Sequence, residues 1–78
     1  MMQNLKLGKY KHYKGNFYKV LGVAQHSETL EELVIYQALY KSDEFGENAL
    51  WVRPKKIFTE TITKDGKEMP LFKYINEA

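Results

Sequence analysis

The chain has 78 residues, a net charge of +2 and no cysteine. A chain of this length folds as one small domain that buries only about 60% of the surface exposed in its unfolded form. Without cysteine, neither a disulfide nor a thiolate metal site can stabilise the fold, so side-chain packing must supply the core. We expect one domain over residues 1–78, with a core at about 8–75 built on six tyrosines, four phenylalanines and one tryptophan.

Charge and hydropathy bear on the location of the protein and on its partners. The stretch MMQNLKLGKYKHYK lacks the continuous apolar segment of a signal peptide, and no later run approaches the ~20 apolar residues that cross a bilayer. We therefore predict a cytoplasmic protein with no membrane partner. Residues 1–26 contain five lysines and no acidic residue, whereas residues 27–50 contain six acidic residues and one lysine. The basic third can attract phosphate groups, although such charge blocks usually form solvated faces.

The first predicted elements form a hairpin. Strand KYKHY is followed by Lys14-Gly15-Asn16, which favours a tight turn, and then by strand FYKVLGVA. Gly22 inside the second strand predicts a bulge or a sharp bend. Side chains of an extended chain alternate between two faces, which places Lys9, Lys11 and Tyr13 on one face and Tyr10, His12 and Lys14 on the other.

Helix and strand patterns compete in the segment TLEELVIYQALY. Thr29 and Glu32 have the spacing of a helical capping box, while LVIY is β-branched, aromatic and apolar, which favours a strand. We predict one helical turn at residues 29–32 and a buried strand at 33–40. A single helix over 29–40 is the alternative.

The rest of the chain predicts further strands. The polar loop KSDEFGENA precedes a brief strand LWVRP, which ends at Pro54. Strands IFTETIT and KEMPLFKYI flank the turn Lys64-Asp65-Gly66, and Pro70 indicates that the last strand lies at a sheet edge. These elements predict a mostly β fold: a strongly bent antiparallel sheet, or a small SH3-like barrel, of five to six strands with one short helical turn.

Most of the chain also resembles a known family. The segments GKYKHYKGNFYKVLGVAQHSET, VIYQALY and WVRP, followed by Phe58 and Glu60, are similar to the bacterial domain-of-unknown-function family 1653. The resemblance extends from about Gly8 to about Phe72. It implies one complete small bacterial domain, and it implies no catalytic residue.

The turn after the first hairpin contains candidate ligand-binding residues, namely His26, Ser27, Glu28 and Thr29. A loop imidazole can donate a hydrogen bond to a ligand or exchange protons near neutral pH. Backbone N–H groups at a helix start can hold an anion. The competing interpretation is structural: His26 bonds a backbone carbonyl, and the hydroxyls of Ser27 and Thr29 cap backbone N–H groups.

The strand LWVRP supplies a second group of candidate residues. Trp51 and Arg53 share one face of this strand, and a guanidinium beside an indole forms a planar surface for a carboxylate, a phosphate or a base. Alternatively, Arg53 and Glu60 form a structural ion pair. In an extended strand, Glu60 lies on the face of Phe58 and Ile62. If those two side chains point inward, Glu60 is a carboxylate that is either paired or part of a site, and the alternative is that strand twist exposes it to solvent.

The stretch KYKHYK interleaves lysines with tyrosines, as do surfaces that bind phosphates and stack on bases. It makes Lys9, Tyr10, Lys11, Tyr13 and Lys14 candidate nucleic-acid contacts. Lysines also protect edge strands from aggregation, and the same stretch fits that structural role.

The sequence carries no familiar enzyme motif. It lacks a cysteine nucleophile, a G-x-S-x-G elbow and an H-E-x-x-H metal motif, and its two histidines lie 14 residues apart. We therefore predict a binding module with no catalytic residue, cofactor or metal. Its pocket joins residues 26–29 to Trp51, Arg53 and Glu60 and accepts an anionic small molecule, a peptide carboxylate or a nucleotide. A nucleic-acid-binding domain is the second hypothesis, and an enzyme using His26 and Glu28 is the third.

Overall fold

A computed structural model describes residues 5–77, and within this range the fold is mostly β. Nine strands and one short helix follow each other along the described chain. In order they are β1 (Gly8–His12), β2 (Phe17–Gln25), β3 (Glu32–Ala38), β4 (Lys41–Ser42), β5 (Gly46–Glu47), β6 (Leu50–Pro54), α1 (Lys55–Phe58), β7 (Thr61–Lys64), β8 (Lys67–Pro70) and β9 (Phe72–Asn76).

Five strands form the main antiparallel sheet, in the order β6-β3-β2-β1-β9. Strands β4 and β5 form a separate two-stranded ladder, and so do β7 and β8. The predicted strongly bent antiparallel sheet is confirmed. Because β6 and β9 do not pair with each other within residues 5–77, the sheet stays open and the barrel alternative is wrong.

The first hairpin forms as predicted. β1 pairs with β2 across a tight turn in which Gly15 has a φ of +111°. The register of β2 against β3 shifts between Val20 and Gly22, which confirms the predicted bulge. Leu21 therefore has no counterpart in β3, and the sheet bends at this point.

The predicted helical turn at residues 29–32 is wrong. The chain instead turns at residues 27–29, and the Leu30 N–H donates to the His26 carbonyl at 2.8 Å. Leu30 has a φ of +64°, which a right-handed helix does not allow. β3 begins at Glu32 and pairs with β2 on one side and β6 on the other, so the single-helix alternative is also wrong. The strand preference of LVIY prevails because both edges of β3 find partners.

A short helix replaces the start of the predicted strand IFTETIT. α1 begins after Pro54 and buries Lys55 and Phe58. The burial of Phe58 outweighs the local strand preference, which tertiary contacts often override. β7 begins only at Thr61 and pairs with β8 across the predicted turn, where Asp65 and Gly66 both have positive φ.

The predicted strand KEMPLFKYI is split at Leu71. The N–H of Leu71 donates to the Glu60 carbonyl at 2.9 Å, and its carbonyl accepts from the Tyr13 N–H at 3.0 Å. These bonds turn the chain from the β7–β8 ladder into the main sheet. Pro70 ends β8, an edge of a two-stranded ladder, as its missing N–H predicted.

The core lies on one face of the main sheet, which we call the inner face. Directly paired residues of neighbouring strands share a face, and the pairs Tyr10–Tyr18 and Val20–Tyr36 fall on this one. Phe58 of α1 covers it. The buried cluster comprises Tyr10, Val20, Val34, Tyr36, Phe58 and Phe72. No helix within residues 5–77 is long and apolar enough to span a membrane.

Candidate functional site

Trp51 and Arg53 lie on the inner face of the main sheet. They alternate along β6, and their partners in β3 are the buried residues Tyr36 and Val34. Since paired residues share a face, both side chains point toward the core side of the sheet. The common face that the sequence predicted for Trp51 and Arg53 is therefore present.

A small pocket opens beside these two residues. It has a volume of about 160 Å³ and is lined by Tyr18, Tyr36, Tyr40, Trp51 and Arg53. Its walls come from β2, from β3 and the residues after it, and from β6, which are adjacent only in the folded sheet. An apolar cavity of about 150 Å³ holds one benzene-sized ring. The pocket therefore fits one ring or a short planar group.

Arg53 is half-buried, and its guanidinium has no carboxylate partner among residues 5–77. Its Cζ atom lies 5.3 Å from the centroid of the Phe72 ring, which is a cation–π contact. Glu60 is exposed, because Phe58 belongs to α1 and the extended pattern that pointed Glu60 inward does not exist. The predicted inward Glu60 and its ion pair with Arg53 are therefore wrong.

The hydroxyls of Tyr18 and Tyr40 hydrogen-bond to each other at 2.9 Å. Burial, and then the bond to Tyr40, raise the pKa of Tyr18 well above its usual range. The Tyr18 hydroxyl is therefore protonated at neutral pH. Whichever oxygen donates within the pair, the proton of the other hydroxyl remains free to reach a bound acceptor.

His12 extends the site on the side of Phe72. The two rings meet edge to face, with centroids 4.8 Å apart. Burial first, and then the charges of Arg53 and Lys14, lower the pKa of His12. Its Nδ1 accepts a hydrogen bond from the Lys14 N–H at 3.1 Å, so the neutral ring carries its proton on Nε2. The sequence placed His12 on the face of Tyr10, but the neighbouring strand β9 that completes its surroundings lies far along the chain.

The turn of residues 26–29 lies away from this pocket. β3 starts at Glu32, and Trp51 pairs with Tyr36, four residues further along the strand. At about 3.3 Å per residue, the turn is about 13 Å or more from Trp51 along the sheet. None of its residues lines the pocket, so the structure does not join the two predicted groups.

His26 closes its own turn. Its Nδ1 accepts hydrogen bonds from the N–H groups of Glu28 at 3.1 Å and Thr29 at 3.4 Å. The Thr29 hydroxyl accepts from the Glu31 N–H at 3.2 Å. Ser27 is exposed like its neighbours. Of the structural interpretation, the bond from the Thr29 hydroxyl to a backbone N–H is present. The predicted bond of His26 to a carbonyl is replaced by the two N–H groups that its Nδ1 accepts, and the Ser27 hydroxyl caps no N–H group among residues 5–77.

The two lysines of β1 and Tyr10 lie on opposite sides of the sheet. Lys9 and Lys11 lie on the outer face, while Tyr10 is only 5% exposed and packs in the core. Tyr10 therefore cannot stack on an external base. Tyr13 is half-buried, and the Lys14 ammonium lies 5.8 Å from the centroid of its ring.

Two other clefts occur in the described part of the chain. The first has a volume of about 350 Å³, and Lys55 pairs within it with Glu32 at 3.5 Å. It is lined by Glu31, Glu32, Lys55, Lys56 and Thr59. The second, of about 270 Å³, lies between β1, β8 and β9 and is lined by Lys11, His12, Tyr13, Glu68, Met69, Pro70 and Lys73. Over residues 5–77 no group of three His, Asp or Glu side chains is arranged to hold a metal ion.

Comparisons with known proteins identify the family. The family model described as protein of unknown function (DUF1653) matches residues 8–74. The crystal structure of a DUF1653 protein from Bordetella bronchiseptica is similar to this chain, with a TM-score of 0.86 and 33% sequence identity, over 100% of this chain and 96% of that one. No match was found among curated proteins. The chain therefore belongs to the DUF1653 family of proteins of unknown function, as the resemblance in its sequence predicted.

Proposed function

We propose that the protein is a binding module that recognises an anionic small molecule through Arg53 and the tyrosine-lined pocket beside it. The observation that carries the proposal is that Arg53 is half-buried and its guanidinium has no carboxylate partner among residues 5–77. A buried or half-buried charge usually has a partner, because transfer out of water costs free energy that an unpaired ion does not recover. A bound carboxylate or phosphate supplies that partner.

The chemistry of the pocket supports an anion that also carries a flat group. A guanidinium binds carboxylate and phosphate oxygens in a bidentate manner, and the Tyr18–Tyr40 pair contributes one further O–H donor. Trp51 and Tyr36 supply aromatic faces. A volume of about 160 Å³ holds a single ring, so an aromatic carboxylate or phosphate fits and a whole nucleotide exceeds the pocket. A peptide carboxylate next to an aromatic side chain satisfies the same chemistry.

The proposal retains the sequence-based expectation of a cytoplasmic bacterial protein. It assigns no catalytic role, because the pocket contains no nucleophile beside a general base in the arrangement that covalent catalysis needs. The proposed binding site does not require residues 26–29, which the sequence also predicted as ligand-binding residues.

A titration followed by Trp51 fluorescence tests the proposal. Trp51 is the only tryptophan in the chain and lines the pocket, so its emission reports occupancy directly. The probes are benzoate and phenyl phosphate, with neutral benzamide as the matched control. We expect saturable binding of the anions with affinities in about the millimolar range, as ligands of this size allow, and no saturation with benzamide.

Matched variants assign the binding to Arg53. Arg53→Met removes the charge from the pocket and should abolish saturation, whereas Lys56→Met removes the same charge from an exposed position on α1 and should not. An equal response to benzoate and benzamide contradicts the proposal. Retained benzoate binding in Arg53→Met contradicts it as well.

A further inference from the structure

Four lysines meet on the outer face of β2, β1 and β9. Lys9 is directly opposite Lys19 in the β1–β2 ladder, and Lys11 is directly opposite Lys73 in the β1–β9 ladder. Lys9 and Lys11 are two residues apart in β1, so all four side chains share one face. We call these residues, Lys9, Lys11, Lys19 and Lys73, the lysine face.

An aromatic ring borders the lysine face. Phe17 is the partner of Lys11 in the β1–β2 ladder. The ammonium of Lys9 lies 4.5 Å and that of Lys11 5.7 Å from the centroid of its ring. The face therefore combines four cations with one half-buried ring, which is the composition of a surface that holds nucleic-acid backbones and stacks on bases.

The arrangement is electrostatically unfavourable in the free protein. Like charges directly opposite each other destabilise a pair of strands, and this sheet contains two such lysine pairs on adjacent ladders. None of the four lysines has a carboxylate within 4.0 Å among residues 5–77. A polyanion on the outer face relieves both repulsions at once.

Edge protection does not explain these lysines. The sheet order places β1 between β2 and β9, and β2 between β3 and β1. Of the three strands that carry the lysine face, only β9 is an edge, so the structural role suggested by the sequence applies to Lys73 alone. For Lys9, Lys11 and Lys19 the alternative to binding is a solvated face, and the directly opposed lysine pairs argue against that alternative.

The cleft between β1, β8 and β9 adjoins the lysine face and has room for a base. Lys11 and Lys73 line it together with Tyr13, Met69 and Pro70, and its volume of about 270 Å³ exceeds the ~150 Å³ that hold one benzene ring. Glu68 also lines the cleft. Its Oε2 atom accepts a hydrogen bond from the Thr61 hydroxyl at 3.2 Å, which directs it to β7.

We infer that the lysine face binds single-stranded nucleic acid, with phosphates on the four lysines and one base in the adjoining cleft. A base enters such a cleft only when it is unstacked and unpaired, which favours a single strand over a duplex. The lysine face and the Arg53 pocket lie on opposite faces of the sheet. The pocket and the cleft share no lining residue, although His12, which contacts Phe72 beside the pocket, also lines the cleft.

Fluorescence anisotropy with labelled oligonucleotides of twelve thymidines or twelve uridines tests the inference on the whole protein. Four phosphate contacts predict a slope of about −2.8 in log affinity against log salt concentration for a single strand. Between about 50 and 200 mM salt, affinity should therefore fall about 50-fold. Binding of either oligonucleotide supports the inference, and the tighter of the two distinguishes DNA from RNA.

Three double variants assign the contacts, and each removes two charges. Loss of either pair on the lysine face should weaken binding by at least about tenfold and reduce the slope by about 1.4. The two lysines of the control pair are directly opposite each other in the β7–β8 ladder and belong neither to the lysine face nor to the cleft lining, so their loss should leave affinity within about twofold. The variants are Lys9→Gln with Lys19→Gln, Lys11→Gln with Lys73→Gln, and, as the control, Lys64→Gln with Lys67→Gln.

The folded state of each variant provides a second measurement. Removing like-charged neighbours should leave the melting temperature unchanged or raise it, so a loss of binding cannot be ascribed to unfolding. Absence of binding at micromolar protein and low salt overturns the inference, as does an equal loss in the control variant. Equal affinity for a duplex of the same length, or tighter binding to vesicles of anionic lipid, also overturns it. Arg53→Met should bind the oligonucleotides as the unmodified protein does.

Discussion

Phe58 and Phe72 stack face to face, with ring centroids 4.1 Å apart and planes at 8°. Phe58 comes from α1 and Phe72 from the edge strand β9, so this contact attaches the helix to the sheet. Phe72 also contacts the Arg53 guanidinium and the His12 ring. The stack therefore supports both the core and the candidate pocket.

Removal of the Phe58 ring should be severe. Phe58 is 1% exposed, and Phe→Ala changes in cores typically cost about 3–5 kcal/mol, which is a large share of the 5–15 kcal/mol or so that stabilises a domain. Ile57→Ala, on the adjacent helix position with 41% exposure, should cost less than about 1 kcal/mol. Urea unfolding followed by Trp51 fluorescence compares them. Equal losses would show that α1 does not pack as described.

Arg53 and Glu60 should behave independently. Arg53→Met loses one cation–π contact and the packing of its stem, so we expect a change of about 1 kcal/mol or less in the free energy of unfolding. Adding Glu60→Gln should have no further effect, because Glu60 is exposed and unpaired with Arg53. A double-mutant cycle measures this directly. A coupling energy above about 1 kcal/mol would indicate an ion pair.

Acid should destabilise the domain through His12. Burial, and then the charges of Arg53 and Lys14, lower the pKa of His12 below its ordinary 6.5 in the folded protein. Between these two values the unfolded chain binds more protons, so the free energy of unfolding decreases as the pH falls through this window and levels off below it. In Arg53→Met the pKa of His12 should rise toward 6.5, as a histidine NMR titration would show. An unchanged pKa would place Arg53 too far away to act on His12.

The turn of residues 26–29 should depend more on His26 than on Thr29. His26→Ala removes the acceptor of two N–H bonds and should cost about 1 kcal/mol, the usual loss for a removed cap. Thr29→Ala removes one exposed bond and should cost about 0.5 kcal/mol or less. His26→Asn should retain most of the stability, because a carboxamide oxygen closes similar turns. Thermal unfolding ranks the three variants. If Thr29→Ala lowered the stability more than His26→Ala, the turn as described would be contradicted.

Local signals predicted the parts of the fold that local chemistry determines. Gly15 and the Asp65-Gly66 pair have the positive φ angles that their turns require, and Gly22 lies at the bulge. α1 was missed because it is four residues long and depends on the burial of Phe58. The spacing of Thr29 and Glu32 wrongly predicted a helical turn, because the pairing of β3 on both edges outweighs the local preference for a helix start.

The sequence predicted a candidate site only where its residues lie on one strand. Alternation along β6 was sufficient to place Trp51 and Arg53 together. The contributions of Tyr18 and Tyr40 require the strand order, which no local pattern encodes. The same holds for the lysine face, since Lys73 joins Lys11 only through the pairing of β1 with β9.

The pairing of β1 with β9 joins residues about 60 positions apart in the chain, such as His12 and Phe72. Contacts of this separation form late in folding, because the chain entropy of closing the loop must be overcome before the contact stabilises anything. β9 is the last of these strands to be synthesised, and until it pairs, Tyr10 lacks its partner Tyr74 and the core lacks Phe72. Arg53 gains its aromatic neighbour in the same final step. Because the pocket walls come from β2, β3, the residues after β3, and β6, ligands of the Arg53 pocket would stabilise the sheet that these strands form, by mass action.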